Sequence, residues 1–262
     1  MTNSLIALCS GFLLILAGCT EAGGSDYEAG IDRSDANVVA VIGAIHGQHR
    51  RSERYSLQVL KEAIVRFGPD IVMVELPPES LEIAARNYKQ FGEVRESRTD
   101  DFPELTDVVF PLQQELGFEM VAVAAWTREI ANERRQKLQE IEIDPARAAE
   151  WEEYQTAFRT YGRAVSGKSD DPQFVHSKAY DDAVRQRQET YDRLFGKELG
   201  AGGWEAINRA HFSLVEAALD DLDGQQKRIL ILFGAWHKYW FLDALDARSD
   251  IALIDAAPLF AD

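Results

Sequence analysis

Cysteine is almost absent from this sequence. The 262-residue chain has two, Cys9 and Cys19, and none follows. Because both lie near the N-terminus, and a cleaved leader would remove the first, the rest of the chain can form no internal disulfide. A cysteine nucleophile is excluded from that region for the same reason.

The chain also has fewer positively charged than negatively charged residues. The chain has 28 Lys and Arg against 44 Asp and Glu, which gives a formal net charge of -16 at pH 7. This balance argues against binding to nucleic acid and against a broad electrostatic attachment to anionic lipid. The sequence also lacks a Gly-x-Ser-x-Gly elbow, which disfavours a serine hydrolase.

The first 18 residues contain no charged side chain. The run from Leu5 to Ala17 is too short to span a bilayer as a stable helix, and it is typical of a secretory signal. It leads into Leu16-Ala17-Gly18-Cys19, the pattern at which lipoprotein signal peptides are cleaved. We therefore predict a lipoprotein signal peptide over residues 1–18 and acyl chains such as palmitate on Cys19. Thr20 then favours the bacterial outer membrane, facing the periplasm. An ordinary cleaved signal or a misassigned start are the alternatives, since the leader has no basic residue.

Residues 19–36 are dominated by Gly, Ser, Asp and Glu, a composition that predicts a flexible tether. Beyond it lie short apolar runs rich in β-branched residues, each typical of a strand that is buried on both faces. The runs are Asn37–Gly43, Asp70–Glu75, Phe118–Ala124, Arg228–Phe233 and Asp250–Asp255.

Helical periodicity fills the gaps between these runs, and strand–helix alternation favours an α/β fold. We predict one α/β domain over residues 37–262, with a mostly parallel central sheet of about five strands flanked by helices. From 128 to 223 the pattern is helical throughout. This stretch predicts a helical insertion before the last two strands, capping one edge of the sheet.

The same short motif follows two of the predicted strands. Gly43-Ala44-Ile45-His46 comes after the first, and Gly234-Ala235-Trp236-His237 comes after the fourth. A third strand ends in Glu75, a carboxylate that needs a partner or a cation if it is buried. Ligands of open α/β sheets bind at the carboxyl ends of strands, so we expect His46, Glu75 and His237 to meet there. Two imidazoles and a carboxylate form a ligand set for a divalent metal with open positions. The alternative is that they are hydrogen-bonded loop residues without a functional role.

These segments resemble the TraB/Tiki superfamily, which includes the erythromycin esterases and the haem-binding ChaN lipoproteins. The resemblance implies that His46, Glu75 and His237 are site residues and that Arg209 is a basic residue beside them. Many relatives read Arg-Asn where this chain reads Asn208-Arg209, and an arginine expected soon after Glu75 is replaced by two prolines. The matching segments are Val41–His46, Asp70–Leu76, Ile207–Arg209 and Arg228–His237.

The resemblance implies a hydrolase of peptide or ester bonds at the cell envelope. A divalent ion of the Mn, Co or Zn type on His46, Glu75 and His237 would lower the pKa of a bound water, and Arg209 would stabilise the oxyanion. In a metal-free version, His46 or His237 would be the general base and Glu75 would orient its ring.

A second function remains open, that of a ChaN-like lipoprotein that binds haem or iron without turnover. Tyr55 and Tyr239 would then be the natural axial ligands. A purely structural envelope lipoprotein is a third alternative. Among the other histidines, His49 is a weak candidate ligand, His211 is expected in the core with a hydrogen bond, and His176 is expected on the surface.

Overall fold

The computed structural model describes residues 36–99 and 101–261. The predicted signal peptide, the lipid site at Cys19 and nearly all of the tether lie outside the described residues. Among the described residues, no helix combines the length and apolarity needed to cross a membrane.

The centre of the fold is a five-stranded sheet in which every pairing is parallel. Its strand order is β3-β2-β4-β1-β5. The predicted α/β class and the predicted parallel sheet are thus confirmed. The strands are β1 (Asn37–Ala44), β2 (Ile71–Val74), β3 (Glu119–Ala122), β4 (Arg228–Gly234) and β5 (Ile251–Ile254).

Helices connect the strands and cover both faces of the sheet. The α-helices are α1 (Leu57–Phe67), α2 (Pro78–Phe91), α3 (Phe110–Leu116), α4 (Arg128–Ile143), α5 (Ala148–Val165), α6 (Pro172–Val175), α7 (Lys178–Tyr191), α8 (Lys197–Leu199), α9 (Trp204–Asp221) and α10 (Lys238–Asp246). A 3-10 helix spans His46–Arg50, and a π-helical turn over Glu104–Val109 runs directly into α3.

Strands β1 and β4 are buried on both faces because their side chains alternate between two layers of helices. On one face, Val39, Val41 and Ile231 belong to an apolar cluster that also contains side chains of α9 and α10. On the other face, α1 contacts β4. Both faces are therefore dry, and the open ends of the strands are where polar side chains can collect.

The stretch 128–223 contains no strand, as predicted, and holds α4 to α9. Its last helix, however, does not cap an edge of the sheet. Phe212, Val215 and Leu219 form one apolar stripe of α9, and that stripe packs against the sheet face. For this helix the expectation of an edge cap is wrong, because its apolar stripe needs a broad apolar partner, which a sheet face supplies. For the rest of the insertion the edge cap stays a prediction.

Candidate functional site

The strand order brings the predicted site residues together. In the sheet, β4 lies between β1 and β2, and parallel strands end at the same side. His46 follows β1, Glu75 follows β2, and Gly234 is the last residue of β4. The carboxyl ends of three adjacent strands thus deliver the side chains expected from the sequence.

His46 is held in an unusual backbone conformation with a fixed ring. Its φ of 49° lies in the left-handed region, which is uncommon for a residue other than glycine. The ring Nδ1–H donates to Glu104 Oε1 at 2.7 Å, and Phe102 packs edge-to-face on the ring at 4.8 Å. The His46 side chain keeps 37% of its area exposed. One nitrogen is therefore anchored, while Nε2 is left for chemistry.

Glu75 approaches the other side of the same ring. Its Oε2 lies 3.8 Å from His46 Nε2 and accepts the Gly234 N–H at 2.7 Å. Glu75 is buried, and Glu104 is almost fully so. His46 thus lies between two buried carboxylates, one on each ring nitrogen.

The glycines of the two Gly-x-x-His motifs are required by close packing. A Cβ on Gly234 would lie 2.6 Å from His46 Nε2 and 3.2 Å from Glu75 Oε2. A Cβ on Gly43 would lie 2.9 Å from Ala235 Cα. Neither glycine has a positive φ, so space, and not turn geometry, excludes a side chain at both positions.

The pKa values of both His46 and Glu75 are raised in this site. Burial alone would lower the pKa of His46, but the hydrogen bond to Glu104 and the charges of Glu75 and Glu104 outweigh it and raise the pKa to about 9. Burial raises the pKa of Glu75 to about 7, against the opposing effects of the His46 charge and the Gly234 N–H. Between these values the pair holds an imidazolium beside a carboxylate.

His237 is fixed by a different partner. Its Nδ1–H donates to Asn208 Oδ1 at 2.7 Å, and Asn208 Nδ2 in turn donates to the Trp204 carbonyl at 2.8 Å. Because this second bond assigns the amide oxygen to His237, the proton is on Nδ1 and Nε2 carries a lone pair. Trp204 stacks on the His237 ring at 4.6 Å. Burial holds the pKa of His237 well below its ordinary value, so the ring is neutral.

A cavity of about 550 Å³ lies beside the two histidines. This volume is in the range of small-molecule sites. One wall comes from the loops after β1 and β4, and the other comes from the insertion. Its lining includes His46, Arg51, Tyr161, Ser169, Trp236 and His237.

Arg209 does not join the site. Its side chain is 72% exposed and pairs with Glu205 one helical turn away at 2.7 Å. Successive helix residues point about 100° apart, so when Asn208 faces His237 its neighbour must face away. The expected oxyanion role of Arg209 has no support in this geometry, and Asn208 is the residue of that pair that contacts the site.

The remaining histidines are structural. His49 Nε2 accepts the Ile45 N–H at 3.0 Å, which braces the loop that carries His46. His211 is buried and accepts the Ala125 N–H at 2.8 Å, as expected for a core histidine. The surface position expected for His176 is wrong: it is buried and accepts the Gly43 N–H at 3.0 Å. The polar residues around it in the sequence suggested exposure, but its side chain packs against β1.

The tyrosines considered for haem are engaged elsewhere. Tyr55 is fully buried and its hydroxyl donates to the Gly43 carbonyl at 2.9 Å. The Tyr239 hydroxyl accepts the indole N–H of Trp204 at 2.7 Å. Neither hydroxyl is free to serve as the expected axial ligand in this arrangement, and haem stays an alternative inferred from the sequence.

The metal prediction can be compared with the donor geometry. His46 Nε2 and Glu75 Oε2 face each other with suitable chemistry, and the hydrogen bonds at Nδ1 of His46 and His237 leave Nε2 of both rings available as a ligand. Across residues 36–99 and 101–261, no group of three or more His, Cys, Asp or Glu side chains is placed to hold an ion. The described residues thus offer a facing pair but no closed site, and a bound metal stays a prediction.

Glu104, like Asn208, is a site residue that was not predicted from the sequence. It follows Phe102-Pro103 and begins the π-helical turn, where a glutamate resembles an ordinary exposed residue of a first helical turn. The signal that could have marked it is the strongly apolar stretch that follows, since a helix this apolar must bury its first turn.

Comparisons with protein families, with curated proteins and with solved structures find no match for this chain.

Proposed function

We propose that this protein is a hydrolase of ester or peptide bonds in which Glu75 and His46 act as an acid–base pair. The observation that carries the proposal is that His46, which lines the cavity, lies between the buried carboxylates of Glu104 and Glu75. A pKa near the working pH is what general acid–base catalysis requires. Glu75, with its pKa at about 7, meets this condition.

The proton transfers follow from the protonation states. The Glu75 carboxylate removes a proton from a water molecule as the water oxygen attacks the substrate carbonyl carbon. The His46 imidazolium then donates its Nε2 proton to the leaving oxygen or nitrogen as that bond breaks. The Glu75 proton then returns to His46 Nε2, which restores the starting state. Because Glu75 Oε2 and His46 Nε2 are 3.8 Å apart, this transfer needs a closer approach of the two side chains or one bridging water.

The other residues hold this pair in position. Glu104 fixes the His46 ring and stabilises its positive charge, in the way that a buried carboxylate orients a catalytic histidine. His237 presents a neutral Nε2 lone pair beside the cavity, suited to accept a hydrogen bond from the attacking water or from the substrate. A divalent ion of the Mn, Co or Zn type, if bound, would use His46 and Glu75 and supply a water of lowered pKa; no step above depends on it.

The site of action is part of the proposal. The leader sequence supports a lipid on Cys19 and an outer-membrane position facing the periplasm, where the acidic domain would be tethered by its acyl chains. Mass spectrometry of the membrane fraction, compared with a Cys19→Ser variant, tests the anchor independently of the chemistry. The lipid should be present only on the parent protein.

The chemistry is tested with His46→Asn and Glu75→Gln. Asn tolerates the left-handed backbone that His46 adopts, so that variant should fold. Both should lower kcat on a panel of 4-nitrophenyl esters and chromogenic peptides by about 10²–10⁴-fold. Arg209→Ala is the matched control and should keep the parental rate. Parental rates in the two site variants would exclude the proposal.

The metal is tested by elemental analysis of protein purified without chelator. Stoichiometric metal in the parent and none in His46→Asn would assign the ion to this site. Full activity in metal-free parent protein would assign the chemistry to the side chains alone.

A further inference from the structure

We propose that the cavity takes substrates bearing a carboxylate and that Arg51 binds this carboxylate. The inference rests on the proposed hydrolase function, since it names the class of substrate for the same cavity. Among the described residues of the cavity lining, Arg51 carries a charge that no side chain pairs with.

Arg51 differs from the arginines around it. Arg50 pairs with Asp107 at 3.1 Å, and Arg54 pairs with Asp170. Arg51 is exposed and lines the cavity, yet its guanidinium has no hydrogen-bond or ion-pair partner among the described residues. A free guanidinium at the mouth of a cavity is suited to bidentate recognition of a carboxylate.

The acidic side chains near Arg51 lie outside the described lining of the cavity. The lining residues that the structure describes include no Asp or Glu. Glu75 and Glu104 lie beneath the lining and share the positive charge of His46. Asp170, beside the lining residue Ser169, is held by Ser52 and Arg54. A ligand carboxylate can therefore pair with Arg51 without displacing a carboxylate of the described lining.

A second cation lies behind the opposite wall. Arg187 is only 6% exposed, and its Nε and Nη1 have no hydrogen-bond partner in the described part of the chain. Its guanidinium lies 4.2 Å from the Trp236 ring centroid and 4.9 Å from that of Phe158. Trp236, in the loop after β4, lines the cavity and donates its indole N–H to the hydroxyl of Tyr161 on the insertion wall. Because this charge is buried and no described carboxylate pairs with it, it adds to the positive potential felt inside the cavity.

The position of Arg51 relates the carboxylate to the reacting bond. Arg51 directly follows the 3-10 helix that begins at His46. At about 2 Å of rise per residue, the two backbone positions are about 10 Å apart. An arginine side chain reaching back over the cavity would therefore hold a carboxylate a few bonds away from the carbonyl at His46. Short dicarboxylate monoesters and peptides cleaved next to their C-terminus have this geometry.

The test compares two esters of equal acyl length, the anionic 4-nitrophenyl hemisuccinate and the neutral 4-nitrophenyl butyrate. The parent should have the higher kcat/KM on the hemisuccinate. Arg51→Gln should lower kcat/KM on that ester by at least about tenfold, mainly through KM, and change the butyrate value less than twofold. Arg50→Gln, which removes a neighbouring arginine that does not line the cavity, should match the parent on both esters.

Equal losses on both esters, or a parental preference for butyrate, would overturn the assignment. If the parent hydrolyses neither ester, the proposed function is at fault, and calorimetric titration with succinate then decides the Arg51 site by itself. Succinate should bind to the parent and to Arg50→Gln but not to Arg51→Gln. Binding to all three proteins, or to none, would refute the carboxylate site.

Discussion

Replacing Gly234 by alanine should disable the site while leaving the fold intact. The added Cβ would lie 2.6 Å from His46 Nε2, where ordinary contact begins at 3.4 Å, so the imidazole must retreat by about 0.8 Å. The neighbour that has to move is the end of a side chain and not backbone. The free energy of unfolding should therefore change little, by less than about 1 kcal/mol.

The catalytic cost of this small displacement should be large. His46 is held by a 2.7 Å hydrogen bond to Glu104, and retreat from Gly234 would lengthen or misalign that bond. Misplacement of a reacting group by about 1 Å lowers rates by about 100-fold. We therefore expect kcat of Gly234→Ala to fall by about two orders of magnitude, while KM stays within a few-fold of the parental value.

The assay measures kcat and KM on the most reactive 4-nitrophenyl ester, together with urea unfolding of each protein. Gly162→Ala is the matched control, because a Cβ there meets nothing within 4 Å and its φ is not positive. It should keep parental kinetics. A folded Gly234→Ala enzyme with parental kcat would refute the claim that His46 acts from this position. A loss of activity that only follows unfolding would refute the expectation that the fold tolerates the added Cβ.

Three further outcomes are expected. The pH profile of kcat/KM should be bell-shaped, rising through about pH 7 as Glu75 ionises and falling through about pH 9 as His46 loses its proton; a flat profile from pH 6 to 10 would contradict the pair. Glu104→Gln should move the alkaline limb to lower pH, because the His46 pKa falls without that carboxylate, and NMR titration of the ring should follow the kinetic limb. His176→Gln should lose about 2 kcal/mol less unfolding free energy than the parent between pH 7 and pH 5, measured by urea denaturation. Burial lowers the pKa of His176 to about 3, so in the parent only the unfolded chain takes up this proton as the pH falls below 6.5.

The sheet could be predicted because its strands are buried on both faces. Such strands are continuous apolar runs that need no long-range information to recognise. The positions of His46 and Glu75 could be predicted as well, because both residues follow closely after strands that pair with β4. The strand fixes the position of a residue that directly follows it, so the location of such a residue can be predicted from local sequence.

Residues that depend on helix rotation or on distant packing could not be located in this way. Asn208 and Arg209 are adjacent in sequence, and only the rotation of α9 about its axis decides which of them faces His237. His176 was expected at the surface because its sequence neighbours are polar, yet it is 7% exposed and hydrogen-bonded to Gly43 of β1. Glu104 contacts His46 across 58 residues of sequence, and the apolar stretch that follows Glu104 predicts its burial but not its partner.

The π-helical turn that begins at Glu104 makes the site sensitive to chain length. Such a turn closes its hydrogen bonds over one residue more than an α-helix does. Deleting a single residue between 105 and 109 would let the turn relax into α-helix and would swing Glu104 by about 100° relative to the helix that follows. The imidazole would then lose its anchor although every catalytic residue type was still present. A relative that keeps the histidine motifs but lacks one residue in this turn is therefore expected to lack this chemistry.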